Sequence, residues 1–335
     1  ERLRLSALER VAEASVWYTD RADFRSTDFY KALDKASSKL GDKVDALAAL
    51  PSRRPANRQK RQLQQKKKFE AERLKREQKR AMNAFQAQFS KELAKNVKPQ
   101  IQKLNSDLAS ASTSADVVAA LDSSGLMNAP TQGLNLMGPD TARSIGQAYS
   151  DICSKFPFLA GNIGRANCSR LGSSTYGQCL MSTGAIDFNT KYYGRGNEAS
   201  FAASFSNCIS TQFHPQGVMS KGAAYAVASH ELGHAIEGRL EKLMKAAGVD
   251  TTEKRKKRYF ISGRVKDKVL SNLSLVDDRS VIKAELSEYA AMDSAEFFAE
   301  AVSEYLCSPS PRAVAAEVGK ILERFLKNDF SDLGI

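Results

Sequence analysis

Histidine is scarce in this chain, three in 335 residues, and what else is missing limits how those three can be used. Cys153, Cys168, Cys179, Cys208 and Cys307 stand in no metal-ligand spacing such as C-x-x-C. They read as mostly reduced core thiols of a chain made in a reducing compartment, with one disulfide among Cys153, Cys168 and Cys179 as the alternative. No run of about eighteen apolar residues occurs, so the sequence offers no transmembrane segment. The opening Glu1-Arg2-Leu3-Arg4 has neither an initiator Met nor a signal-type apolar core, which is expected of a trimmed or processed product. The single tryptophan, Trp17, reads as packing.

Against that scarcity, two of the three histidines fall in His230-Glu231-Leu232-Gly233-His234. Positions i and i+4 share one face of a helix, so both rings can reach one ion while Glu231 leans toward its open side. The spacing is that of a helical zinc site, and it pairs an activated water with a base. The plain alternative is two surface histidines on an amphipathic helix.

Charge is also uneven. The chain carries +12, and residues 51–80 hold thirteen Lys and Arg against Glu70, Glu72 and Glu77, a local excess of +10. Such a block attracts polyanions, whether nucleic acid, an acidic protein wall or anionic lipid; it can equally be the solvated face of a long helix. Phe69 is its only aromatic residue, so base stacking is not indicated.

Periodicity predicts an α+β chain that is mostly α-helical, with a small β-sheet and a helical N-terminal region. Phe29, Leu33, Leu40, Val44 and Leu47 recur at helical spacing until Pro51. Met82, Phe85, Phe89, Leu93, Val97, Ile101, Leu104 and Leu108 form a second stripe, with Pro99 kinking or restarting the helix. These stripes and the basic block define a helical, basic region over 1–110. The Ser-, Ala-, Asn- and Gly-rich stretch 111–139 reads as a linker with one short helix near Ala115 to Leu121. Residues 140–335 form the metal-bearing domain. A helix over Asp140 to Lys155 precedes strands in Gly164–Leu171, Tyr176–Met181 and Ala185–Tyr193, with Ser182-Thr183-Gly184 as a hairpin turn. Helical spacing returns at Phe201, Phe205, Cys208 and Ile209 and stops at His214-Pro215. The motif helix follows from about Lys221 to Ala247. Later helices are expected over Ser262–Ser274, Asp278–Ser287, Asp293–Cys307 and Pro311–Asn328.

A hydrolytic zinc site needs a third protein ligand. A metzincin histidine is excluded, because position 240 is Leu240 and position 237 is Glu237. His214 is the one histidine left, and it reads first as a turn or pocket-wall residue. Glu237 reads as a solvated helix charge. Asp293-Ser294-Ala295-Glu296-Phe297-Phe298-Ala299-Glu300 offers a carboxylate pair at i, i+4, anchored by two phenylalanines. One glutamate can bind the ion and the other can fix the tautomer of a ligand histidine; the pair can also be ordinary solvated charges.

Tyr289 followed by this A-E-F-F-A-E run, downstream of H-E-x-G-H, resembles the gluzincin-type peptidase family of anthrax lethal factor. The resemblance implies a zincin-like metallopeptidase domain with Zn2+ held by His230, His234 and Glu296. It further implies Glu300 as the supporting residue behind the ligands, and Glu231 and Tyr289 as catalytic base and oxyanion helper. The order Phe213-His214-Pro215-x-Gly217, the histidine motif, Ala295 to Tyr305 and Ser310-Pro311-Arg312 is similar to C-terminal zincin-like modules of phage minor head (head-morphogenesis) proteins. That resemblance implies a virion-associated protein made in the bacterial cytoplasm. Its partners would be a protein or peptide substrate, portal or capsid proteins, and DNA through residues 51–80.

The expected activity is peptide-bond hydrolysis with Glu231 moving the proton. Substrate could add as a strand along Ala185–Tyr193. A different class remains open: a structural virion protein whose zinc staples the C-terminal fold, with the basic arm binding DNA or other virion proteins. A fourth protein ligand would mark the staple, and an open position the enzyme.

Overall fold

The computed structural model describes residues 64–69, 72, 73, 95, 97–246 and 260–325. The stripe from Phe29 to Leu47, most of the basic block and the first part of the stripe from Met82 lie outside the described residues. Within the block, 64–69 are helical and exposed. The described residues are mostly α-helical with one three-stranded sheet, an α+β arrangement. No helix among them is long and apolar enough to cross a membrane.

Helix α1 (97–110) carries Val97, Leu104 and Leu108 into the core, continuing the expected stripe. Helix α2 (Ser114–Ser123) starts at a capping box, in which Thr113 accepts from the Asp116 N–H and the Asp116 carboxylate accepts from the Thr113 N–H. The stretch 111–139, expected as a linker, is part of the core: Val117, Leu121, Leu126, Leu134 and Met137 are buried, and Gln132 bridges to Asn167. Its small polar residues are local caps and turns rather than flexible chain. Gly133 takes φ 70 with its Cα against the Cys168 carbonyl, an approach no side chain allows.

Helix α3 (Pro139–Lys155) opens on Pro at its first turn and buries Ile145, Tyr149 and Ile152. The sheet has the order β1 (Ala166–Ser169), β3 (Ala185–Asn189), β2 (Gly177–Leu180), with β1 parallel and β2 antiparallel to β3. Ala166, Cys168, Ile186 and Phe188 make its buried face. Thus β3 is the central strand, and the expectation that Ala185–Tyr193 supplies an edge for substrate is corrected: the edge near the motif helix is β2. Residues 190–193 are also not strand but the short helix α4 (Thr190–Tyr193), capped by Asn189.

Helix α5 (Glu198–Ser210) leads through a left-handed Gln212 (φ 58) to His214. After a 3-10 turn (Gln216–Lys221) comes the motif helix α6 (Ala223–Ala246). Helices α7 (Phe260–Asn272) and α8 (Arg279–Glu285), a 3-10 turn (Tyr289–Ala291), α9 (Ser294–Cys307) and α10 (Ala313–Phe325) complete the order. Helix α9 is buried nearly all round, Phe297 and Phe298 included, which makes it the central post of the core rather than a surface helix.

Candidate metal centre

Helices α6 and α9 cross where neither has bulk. A Cβ added to Gly233 would lie 2.8 Å from the Ala299 Cα, so these two backbones touch only because position 233 is glycine. Gly233 lies between His230 and His234, and Ala299 between Glu296 and Glu300. The close crossing therefore sets the two histidines against the two carboxylates. On α9 the Asp293 side chain accepts from the Glu296 N–H at 2.9 Å, which caps the helix and fixes Glu296 in its first turn.

Glu296 Oε2 lies 3.2 Å from His230 Nε2 and 3.4 Å from His234 Nε2. The ligand atoms of these three residues all fall within 4.8 Å of one another, so the group can hold a metal ion. A tetrahedral ion with bonds of about 2.0–2.1 Å spaces its ligand atoms by about 3.3–3.4 Å, and the two edges of 3.2 and 3.4 Å lie close to that spacing. The oxygen is buried yet makes no aligned hydrogen bond, the signature of an acceptor awaiting a cation. Burial opposes ionisation of Glu296, but the two imidazoles beside it hold its carboxyl well below the ordinary range. His230 shows the reciprocal effect: burial disfavours its charge, yet Glu296 and Glu300 raise it well above an ordinary histidine. Two carboxylates thus make this spot strongly attractive to a proton or a metal, which compete for the same nitrogen.

Behind the ligands, Glu300 Oε1 lies 2.8 Å from His230 Nδ1, a charge contact on the ring's far side. Glu300 also accepts from Ser287 Oγ at 2.9 Å and pairs with His214 Nδ1 at 3.1 Å. Only 1% of Glu300 is exposed; burial alone would raise its pKa, and His214 and His230 instead bring it down to about 2. His214, read from sequence as a wall residue, is therefore joined to the cluster through Glu300. Its signal was scarcity alone: all three histidines of the chain meet here.

Tyr289 reaches the cluster because two strands of loop are tied together. Glu288 and Tyr289 donate their N–H groups to the carbonyls of Gln212 and Phe213, at 2.8 and 3.0 Å. Arg312 braces the preceding turn by a two-pronged pair with buried Glu304 and by hydrogen bonds to the carbonyls of Leu286 and Ala284. The Tyr289 ring sits 5.7 Å from His230, and burial together with Glu296, Glu231 and Glu300 holds its hydroxyl protonated.

Glu231 leaves the same helix toward the sheet. It is buried against β2, where a Cβ on Gly177 would come within 3.0 Å of its Cγ and Oε1. Asn189 donates to the Tyr176 carbonyl, so by antiparallel alternation Gly177 and Cys179 turn their backbone groups to the free edge. Glu231 accepts from that outward Cys179 N–H. Burial raises its pKa, opposed by His230 and His234. Glu237, expected in solvent, is wholly buried; Ser262 N–H donates to it at 3.0 Å, and burial lifts it to about 7.

The structure thus gathers His230, His234, Glu296, Glu300, Tyr289 and Glu231 into one place. Compared with known proteins, the chain matches no family model, no curated protein and no solved structure.

Proposed function

We propose that this chain is a zinc-dependent peptidase of gluzincin type, with His230, His234 and Glu296 as ligands. The observation that carries the reading is the pair of 3.2 and 3.4 Å edges between Glu296 Oε2 and the two Nε2 atoms, with a buried carboxylate, Glu231, beside them. Three ligands and no fourth are found in this group among the described residues, which favours an open, reactive position over a structural staple. Bound zinc supplies a Lewis acid that polarises a carbonyl and eases deprotonation of water.

The protein groups do the remainder. Glu231, with its proton affinity raised by burial, takes a proton from the attacking water and returns it to the departing amine. Tyr289, kept protonated, donates to the oxygen on which negative charge develops. An extended substrate pairs with the outward backbone groups of Gly177, beside the Cys179 N–H that Glu231 takes. Phe213 and Met292, 37% and 51% exposed, offer it an apolar seat: Phe213 packs 5.2 Å from Tyr289, and Met292 eclipses Tyr289 one 3-10 turn later. Virion association rests on the sequence resemblance and is tested by finding the chain in purified particles.

The decisive experiment is Glu231→Gln. This variant binds one zinc per chain, as wild type does, and loses cleavage of a peptide library by about 10²-fold or more. Unchanged turnover would refute the assignment, and a wild-type chain that binds no zinc would refute the centre itself.

A further inference from the structure

His214 is built into its place. The Phe213 N–H donates to the Cys208 carbonyl at the end of α5, and Phe213 in turn accepts from Tyr289. The His214 ring stacks on Phe205 at 5.1 Å and 27°, with Phe213 edge-on at 5.0 Å. That slot aims Nδ1 at both oxygens of Glu300, 3.1 and 3.3 Å away. The same Oε1 faces His230 Nδ1 at 2.8 Å. Glu300 is thus pinned from three sides, by Ser287, His214 and the ligand His230. At 1% exposure the plane of this carboxylate is set by its protein neighbours, through hydrogen bonds with Ser287 and His214 and the charge contact with His230. Ser287 also accepts from the Ala290 N–H, which ties this oxygen to the turn carrying Tyr289.

We propose that His214 is a positioning residue for the metal centre: through Glu300 it fixes the ring orientation of His230 and so sets the affinity for the ion. It touches neither metal nor substrate. This inference rests on the metal reading above, but it assigns the third histidine a task that reading does not require. A purely packing role predicts that any ring of similar shape serves equally well. The positioning role requires a donor at the place of Nδ1.

The test measures zinc affinity of the full chain by competition with a chromogenic chelator, needing no substrate. His214→Phe keeps the stacking ring and removes the donor; it weakens zinc binding about tenfold, at the lower end of what loss of a supporting group costs a metal site. His214→Asn, whose side-chain amide can take the place of Nδ1, stays within about threefold of wild type. In a Glu300→Gln background, His214→Phe and His214→Ala add little further loss, because the carboxylate through which they act is gone. Melting in chelator reports whether each variant is folded, and the cycle with Ala stands in if Phe does not fit. Wild-type affinity in His214→Phe, or losses that add in full in the double variants, overturns the proposal while leaving the zinc centre standing. A wild-type chain that binds no zinc overturns both.

Discussion

Glu300 and Glu237 are two glutamates buried to the same degree in one core, and they end in opposite states. Glu300, on α9, faces His214, His230 and Ser287 and is held at about 2. Glu237, one turn past His234 on α6, has Ser262 as its donor and is lifted to about 7. Burial is equal, so it cannot be the discriminator; the number and charge of the donors is. The lesson extends to the whole centre. Cations gather where carboxylates are paired, and a carboxylate without such partners holds a proton instead.

The comparison breaks most severely if the paired side loses its carboxylate. Glu300→Leu leaves His214 and His230 buried without their acceptor and lowers stability by about 3–5 kcal/mol, read from urea unfolding. Titration sharpens the contrast next. Stability from Glu300, whose folded pKa is depressed, is present above an unfolded value of 4.5 and is lost as pH falls through about 2. Glu237 has the opposite sign: its contribution is present below 4.5 and is lost as pH rises through about 7, by about 3 kcal/mol. Glu237→Gln should abolish that upper loss and be the more stable protein at pH 8. An unchanged pH profile would contradict the buried proton.

Smaller effects come from the glycines that bring the parts together. Gly233→Val forces α6 off Ala299, costing about 1–3 kcal/mol and weakening metal binding more than folding. Gly177→Ala crowds Glu231 rather than the core, so it should lower kcat while shifting stability by less than about 1 kcal/mol. A Gly177→Ala variant with wild-type turnover would detach β2 from the proposed base.

Much of this was legible in advance because it is local. The 3.6-residue period places His230 and His234 on one face, and repeats it for Glu296 and Glu300. The same period locates α3, α6 and α9 to within about two residues of their expected limits. What escaped was decided between segments. Composition made 111–139 read as a linker, although Val117, Leu121, Leu126, Leu134 and Met137 are all spent on the core. Three short strands were visible, but not their order, and order alone makes β2 rather than β3 the edge. Glu237 looked solvated because one helix cannot reveal that α7 covers it.

The sequence by itself determined the candidate ligand types, their helical spacing and the small residues, Gly233 and Ala299, that permit a close crossing. These are properties of one chain segment and its backbone geometry. Only the tertiary structure decided that α9 lies across α6 at that point, that β2 offers its Cys179 N–H to Glu231, and that His214 shares Glu300 with a ligand. Each of those depends on surfaces distant in the chain being buried together, and burial against a partner is what turns an ordinary side chain into part of a site.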